Sequence, residues 1–160
     1  MDAIFRQWTD AHQDQVWSLA LYLLRDRAEA EDVAQEAFIR LWQHRESMGG
    51  DRVKPWLLRV TRNLCLDRLR KRRPEVEIED EHAMSGGPAE GLQNSQLGLA
   101  LRAALARLAE PYRSLVVLRD VQQSSYEDVA QATGLSLPQV KTYLHRARKQ
   151  LREQLAEVRP

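Results

Sequence analysis

Between Arg52 and Arg73 the chain places nine basic residues (Arg52, Lys54, Arg59, Arg62, Arg68, Arg70, Lys71, Arg72, Arg73) against one acid, Asp67. A second cationic run, Lys141, Arg146, Arg148, Lys149 and Arg152, lies within twelve residues near the other end. A single charge run is usually a solvated face, but two separated runs of this density favour a polyanionic partner. The first run also contains Trp56 and Asn63. Arginines hold phosphates and an amide presents both a donor and an acceptor to an unstacked base, chemistry suited to separated strands, while Trp56 at a helix start is open between a core position, the commoner one, and a stacking face. The second run carries Gln139, Lys141, Thr142, His145 and Arg146 at the spacing of one helix face, the donors and acceptors that base edges and phosphates of an intact duplex require.

The elements that must position these groups are helical. From Ile4 to Arg73 apolar residues recur at helical spacing, with breaks near Arg25 to Glu29 and Ser47 to Pro55, and the periodicity returns from Leu97 to Leu155. Between them, Pro74 to Ser95 holds Glu75, Glu77, Glu79, Asp80, Glu81 and Glu90, no lysine or arginine, and the turn-forming run Ser85, Gly86, Gly87, Pro88. The expected fold is all-α: two small helical domains, residues 1–73 and 96–160, joined by a flexible acidic linker over 74–95.

Within the last block, Ser125 is placed to cap a short helix that starts at Tyr126, and Gly134 sits where a tight helix-to-helix turn needs a positive φ. Ser136 followed three residues later by Gln139 is a capping box, and Pro138 falls in a first turn whose amides have no helical acceptor. Val140, Leu144, Ala147 and Leu151 then form the inward stripe of a second helix. This is the grammar of a DNA-reading helix-turn-helix. In the first block, Ala30 to His44 forms a long amphipathic helix with Val33, Ala37, Phe38, Leu41 and Trp42 expected on the core side. Its other face, Asp32, Gln35, Glu36, Ile39 and Gln43, mixes acids and amides with one apolar residue, as a protein-docking surface does.

The bulk numbers leave this reading open and narrow the alternatives. A net charge of +1 hides the sorted layout of basic and acidic segments. The single cysteine, Cys65, allows neither an internal disulfide nor a four-cysteine zinc site, and a reduced, cytoplasmic setting is expected. No apolar run is long enough for a membrane helix, so no membrane insertion is expected. The acids supply no carboxylate cluster beside a basic surface, which argues against a metal-dependent nuclease or nucleotidyl transferase; no cofactor, metal or catalytic residue is expected. A one-component repressor would need a sensor or dimer helix and would leave the Trp56 to Arg73 segment without a role.

Three segments carry a specific resemblance: AEDVAQEAFIRLW, PWLLRVTRNLCLDRLRKRR and SYEDVAQATGLSLPQVKTYLHRARKQL. In order and spacing they resemble the sigma-70 family of RNA polymerase sigma factors, specifically the small extracytoplasmic function (ECF) group that keeps only regions 2 and 4. The resemblance implies a transcription initiation factor, not an enzyme. It implies docking of the first segment on the clamp of the polymerase largest subunit through Asp32, Gln35, Glu36 and Arg40. It implies recognition and opening of the minus-10 element by Trp56, Arg59, Arg62, Asn63, Arg68 and Arg70, with Asn63 at the position that captures a flipped base. The third segment would read the minus-35 element through Gln139, Lys141, Thr142, His145, Arg146 and Arg148. The implied partners are core RNA polymerase, through clamp and flap, promoter DNA and an anti-sigma factor in an envelope or environmental stress response. The chain departs from the family pattern at Pro138 to Val140, at Tyr143 and in the loop Ser47 to Lys54.

Overall fold

The structure, a computed structural model, describes residues 2–72 and 95–158. The acidic segment, apart from Ser95, lies outside the described residues. All regular elements among them are helices. Helix α1 spans Ala3–Leu24, started by the Asp2 carboxylate, which accepts from the Ile4 amide at 2.9 Å, and ended at Arg25 in the left-handed region with φ of 58°. Asp26 caps α2 (Arg27–His44) by accepting from Glu29 N at 3.0 Å. Two short 3-10 turns, Arg45–Ser47 and Gly50–Arg52, lead to α3 (Val53–Lys71). The second break therefore falls earlier than expected, and Pro55 lies inside the first turn of α3, where a missing amide costs no helical hydrogen bond.

The second half opens with α4 (Gln96–Arg107), capped by Ser95. Helix α5 (Tyr112–Val116) runs on through a π-helical turn, Val117–Val121, and is followed by α6 (Tyr126–Thr133) and α7 (Leu137–Val158). Arg113 binds this half together. Its guanidinium donates to the carbonyls of Leu105, Ala106 and Leu108 at the end of α4 and reaches Leu23 O at the end of α1. One cation thus satisfies the orphan carbonyls of two helix ends.

The two halves do not stand apart. One apolar core contains Leu19, Leu23, Leu24 and Val33 of α1 and α2, Leu58 and Cys65 of α3, and Leu105, Leu115, Leu118, Val129, Val140 and Leu144 of the second half. A smaller core belongs to the first half alone: Val16, Ala37, Leu41, Val53 and Leu57, with Phe38 and Trp56 packed against it. The reason for the shared core lies in α3. Its Leu57 and Thr61 side is buried, and so is its Leu58, Arg62 and Cys65 side, leaving a narrow exposed strip. A helix buried on two sides requires a second layer, and α6 supplies it.

Trp42 does not join the core as expected. It is 37% exposed at the rim of α2, edge-on to Phe5 with centroids 5.0 Å apart and with the Arg45 guanidinium 3.5 Å over its ring. At the C-terminal end of α2 the neighbouring 3-10 turn brings Arg45 to it rather than an apolar partner.

Candidate nucleic-acid interface

The helix-turn-helix forms as its turn chemistry dictates. Ser125 Oγ accepts from Asp128 N at 3.1 Å, and Gly134 closes α6 with φ of 77°. The capping box is reciprocal: Ser136 N donates to Gln139 Oε1 at 3.0 Å and Gln139 N donates to Ser136 Oγ at 3.2 Å. Val140, Leu144 and Ala147 are fully buried, and Leu151 packs against the same core. With that stripe fixed inward, Gln139, Lys141, Thr142, His145 and Arg146 are exposed together along α7. The Gln139 carbonyl is committed to the cap, so its amide nitrogen is the group left to reach out.

Arg148 is placed differently. It lies at the flank of α7 and forms a two-point ion pair with Asp120, Nε to Oδ2 at 2.9 Å and Nη2 to Oδ1 at 2.7 Å. The hydrogen bonds that Arg148 donates to the Asp120 carboxylate raise its pKa above the ordinary arginine value. Beside it the Arg119 guanidinium sits 4.2 Å over the Tyr126 ring and donates to Ser124 O at 2.9 Å. Lys141 approaches the same ring at 5.8 Å. Asp120 and Arg119 are not singled out by the sequence, and Tyr126 only as the start of a helix; the fold brings all three to the recognition helix.

The residues of α3 divide into three groups. Arg59, Asn63 and Arg70 are exposed and fall at helical spacing on one face. Arg59 carries no ion pair among the described residues, whereas Arg70 and Lys71 both pair with Asp67, at 3.3 and 3.0 Å, which holds that carboxyl below the usual range. Arg68 turns to α2, 4.0 Å from Glu29 and 3.9 Å from Asp32, so one residue expected to meet DNA is paired with one expected to meet polymerase. Arg72 binds Glu29 as well and donates to Leu24 O at 2.8 Å. Arg62 is buried between the halves, only 8% exposed, and in this arrangement does not share the face of Asn63. Trp56 is half-buried, packed against the first-half core with His44 at 5.6 Å. Arg62, Arg68 and Arg72 are thus paired with acids distant in sequence, whereas Arg70 and Lys71 share Asp67 of their own helix.

On α2, Asp32, Gln35, Ile39 and Arg40 are exposed as the helix period requires, and Arg40 Nε donates to Glu36 at 3.1 Å. Next to this stripe a groove of about 920 Å³ runs between α1 and α2, lined by Phe5, Trp17, Phe38, Ile39 and Trp42 with Asp14, Glu31 and Gln35 at its polar edge. No cluster of three or more metal-ligating side chains occurs among the described residues. No helix among them is long and apolar enough to cross a membrane.

The helix-turn-helix, the exposed amide and cationic stripe of α3, and the acidic stripe of α2 are the surfaces this fold presents. Residues 8–75 match Sigma-70 region 2, and residues 98–151 match Sigma-70, region 4. The chain is 37% identical to the ECF RNA polymerase sigma factor SigE of Mycolicibacterium smegmatis over 98% of its own length and 62% of the relative's. It is 34% identical to the ECF RNA polymerase sigma factor SigL of Mycobacterium tuberculosis over 98% of this chain and 91% of that one. The sigma factor RpoE of Bartonella quintana, solved in complex with the anti-sigma factor NepR, superposes with a TM-score of 0.79 at 28% identity, covering 99% of this chain and all of that one. The chain belongs to the sigma-70 family, in its ECF group, a class of transcription initiation factors that direct RNA polymerase to promoters.

Proposed function

We propose that residues 1–73 dock on core RNA polymerase and read and open the minus-10 element, that 96–160 read the minus-35 element, and that 74–95 connect them. The observation that carries this is the pairing of two unlike surfaces: the exposed Arg59, Asn63 and Arg70 face of α3, which suits an unstacked strand, and the exposed Gln139, Lys141, Thr142, His145 and Arg146 face of α7, which suits a duplex groove. The chain itself carries out no catalysis in this reading; RNA synthesis belongs to the polymerase, and the site of action is the cytoplasm. Asp32, Gln35, Glu36 and Arg40 meet the clamp.

The apolar groove between α1 and α2 adjoins that stripe through Gln35 and Ile39, and its Asp14 and Glu31 edge suits a partner helix with a basic flank. An anti-sigma factor seated there would compete with polymerase for the same face, the arrangement by which stress-response control is exerted. Run-off transcription with purified core polymerase on a promoter library tests the reading: the chain should confer initiation on a defined promoter class, and tight sequence-specific binding by the chain alone would favour a repressor instead.

A further inference from the structure

Arg62 is the charged side chain of α3 most removed from water, and its partners all come from the second half. Its Nε donates to Ser114 Oγ at 2.9 Å, and its Nη2 lies 3.3 Å from Glu110. Ser114 is fully buried. Glu110 is itself fixed at the start of α5, where it accepts from the Ser114 amide at 3.1 Å and from the Ser114 hydroxyl. One carboxylate oxygen and one hydroxyl oxygen thus converge on a single guanidinium, two acceptors with one negative charge between them, the number and charge that the two non-bridging oxygens of a phosphodiester offer to arginine.

Polar contacts continue along the seam. Gln15 Nε2 donates to Gln122 Oε1 at 3.1 Å and to Ser124 Oγ at 3.0 Å, Gln122 Nε2 donates back to Gln15 O at 3.1 Å, and Lys54 approaches Asp128 at 3.8 Å. These contacts frame the shared apolar core around Leu58 and Cys65. A guanidinium left in such a seam without its acceptors would be strongly disfavoured, so Arg62 favours closure only while Glu110 and Ser114 hold it.

We propose that Glu110 and Ser114 form an internal stand-in for a phosphate, so that the Arg62 side of α3 is an interaction surface with two exclusive occupants. In the free chain the occupant is the second half. Once polymerase holds the halves apart, the occupant is the backbone of a separated DNA strand. The proposal rests on the reading of α3 as the minus-10 helix. A polar latch of this kind is exchangeable: opening breaks the Arg62 hydrogen bonds, and the strand phosphate restores equivalent ones, so the equilibrium is shifted by a ligand that binds the open state alone.

The test uses the full chain with Glu110→Gln, which keeps size and removes charge, and with Ser114→Ala as a second variant that spares Glu110. Cys65, the single cysteine, is fully buried in the shared core, so its rate of reaction with a neutral thiol reagent reports opening without DNA or polymerase. Labelling should quicken about tenfold in Glu110→Gln and less in Ser114→Ala, and affinity for a single-stranded minus-10 oligonucleotide should rise in step. Bridging Gln15→Cys to Gln122→Cys with a short bismaleimide, in a Cys65→Ala background, should abolish the rise in strand affinity that Glu110→Gln brings. Unchanged labelling in both variants overturns the proposal. Faster labelling with no rise in strand affinity overturns it too, because the occupants would then not be exclusive. Neither result touches the promoter-directing function, which stands on the run-off experiment with polymerase.

Discussion

Arg148 of α7 and Asp120 of the π-helical turn meet in a two-point pair, at 2.9 and 2.7 Å, that ties the recognition helix to the element preceding the helix-turn-helix. An exposed single-point pair contributes little, but two parallel hydrogen bonds also fix an angle. Arg148 is therefore expected to aim α7 rather than to read DNA. Asp120→Asn and Arg148→Gln should each weaken holoenzyme binding to minus-35 duplex by about two- to fivefold, and the exchange Asp120→Arg with Arg148→Asp should recover most of the loss. A gel-shift titration checks this; direct DNA binding by Arg148 would leave the exchanged protein about tenfold weaker than the original.

Asn63 and Lys141 should fail at different steps. Asn63 is exposed beside Arg59 and Arg70, so Asn63→Ala should impair strand opening while closed-complex formation survives, and a mismatched bubble at minus-10 should only partly rescue it. Lys141→Ala with Arg146→Ala should weaken the closed complex by about 1 to 3 kcal/mol for each side chain that meets a base edge, with no rescue by the bubble. Permanganate reactivity of unpaired thymines separates the two.

The docking stripe should be dispensable for folding. Glu36 and Arg40 pair across one turn with side chains 46% and 44% exposed, and Gln35 is exposed beside them. Gln35→Ala with Glu36→Ala should shift stability by no more than about 0.5 kcal/mol while core-polymerase affinity falls about tenfold. Thermal unfolding and pull-down of the core enzyme report the two quantities; a large loss of stability would show that the stripe is structural.

Burial pushes the Cys65 thiol up from 9.0 to about 12, partly offset by Arg68. A group whose folded pKa lies above its unfolded value contributes fully below the unfolded value and loses that contribution as pH rises toward the folded one. Stability should therefore decline between about pH 9 and 12, on the order of 1.4 kcal/mol per pH unit from this group. Tyr22, also raised by burial, adds to the same alkaline slope. Urea unfolding at about pH 8 and pH 10.5 should show the decline, and Cys65→Ala should flatten it without removing it.

Much of the site was legible because its signals are local. Ser125, Gly134 and the Ser136 and Gln139 box act on backbone groups within four residues, so α6, its turn, α7 and the α7 outward face follow from sequence order alone. The same holds for the α2 stripe, which needs only the helical period. The charge runs were legible as runs, but the fate of each arginine was not. Arg62 meets Glu110 across 48 positions, Arg68 meets Asp32 across 36, and Arg148 meets Asp120 across 28. A guanidinium on a flexible stem takes whichever acid the packing brings within reach, and packing is set by the apolar core common to both halves. Sequence by itself determined an all-helical, two-block, promoter-reading chain. Only the tertiary structure decided which cations face outward, because burial of both sides of α3 in one shared core is a property of no segment alone.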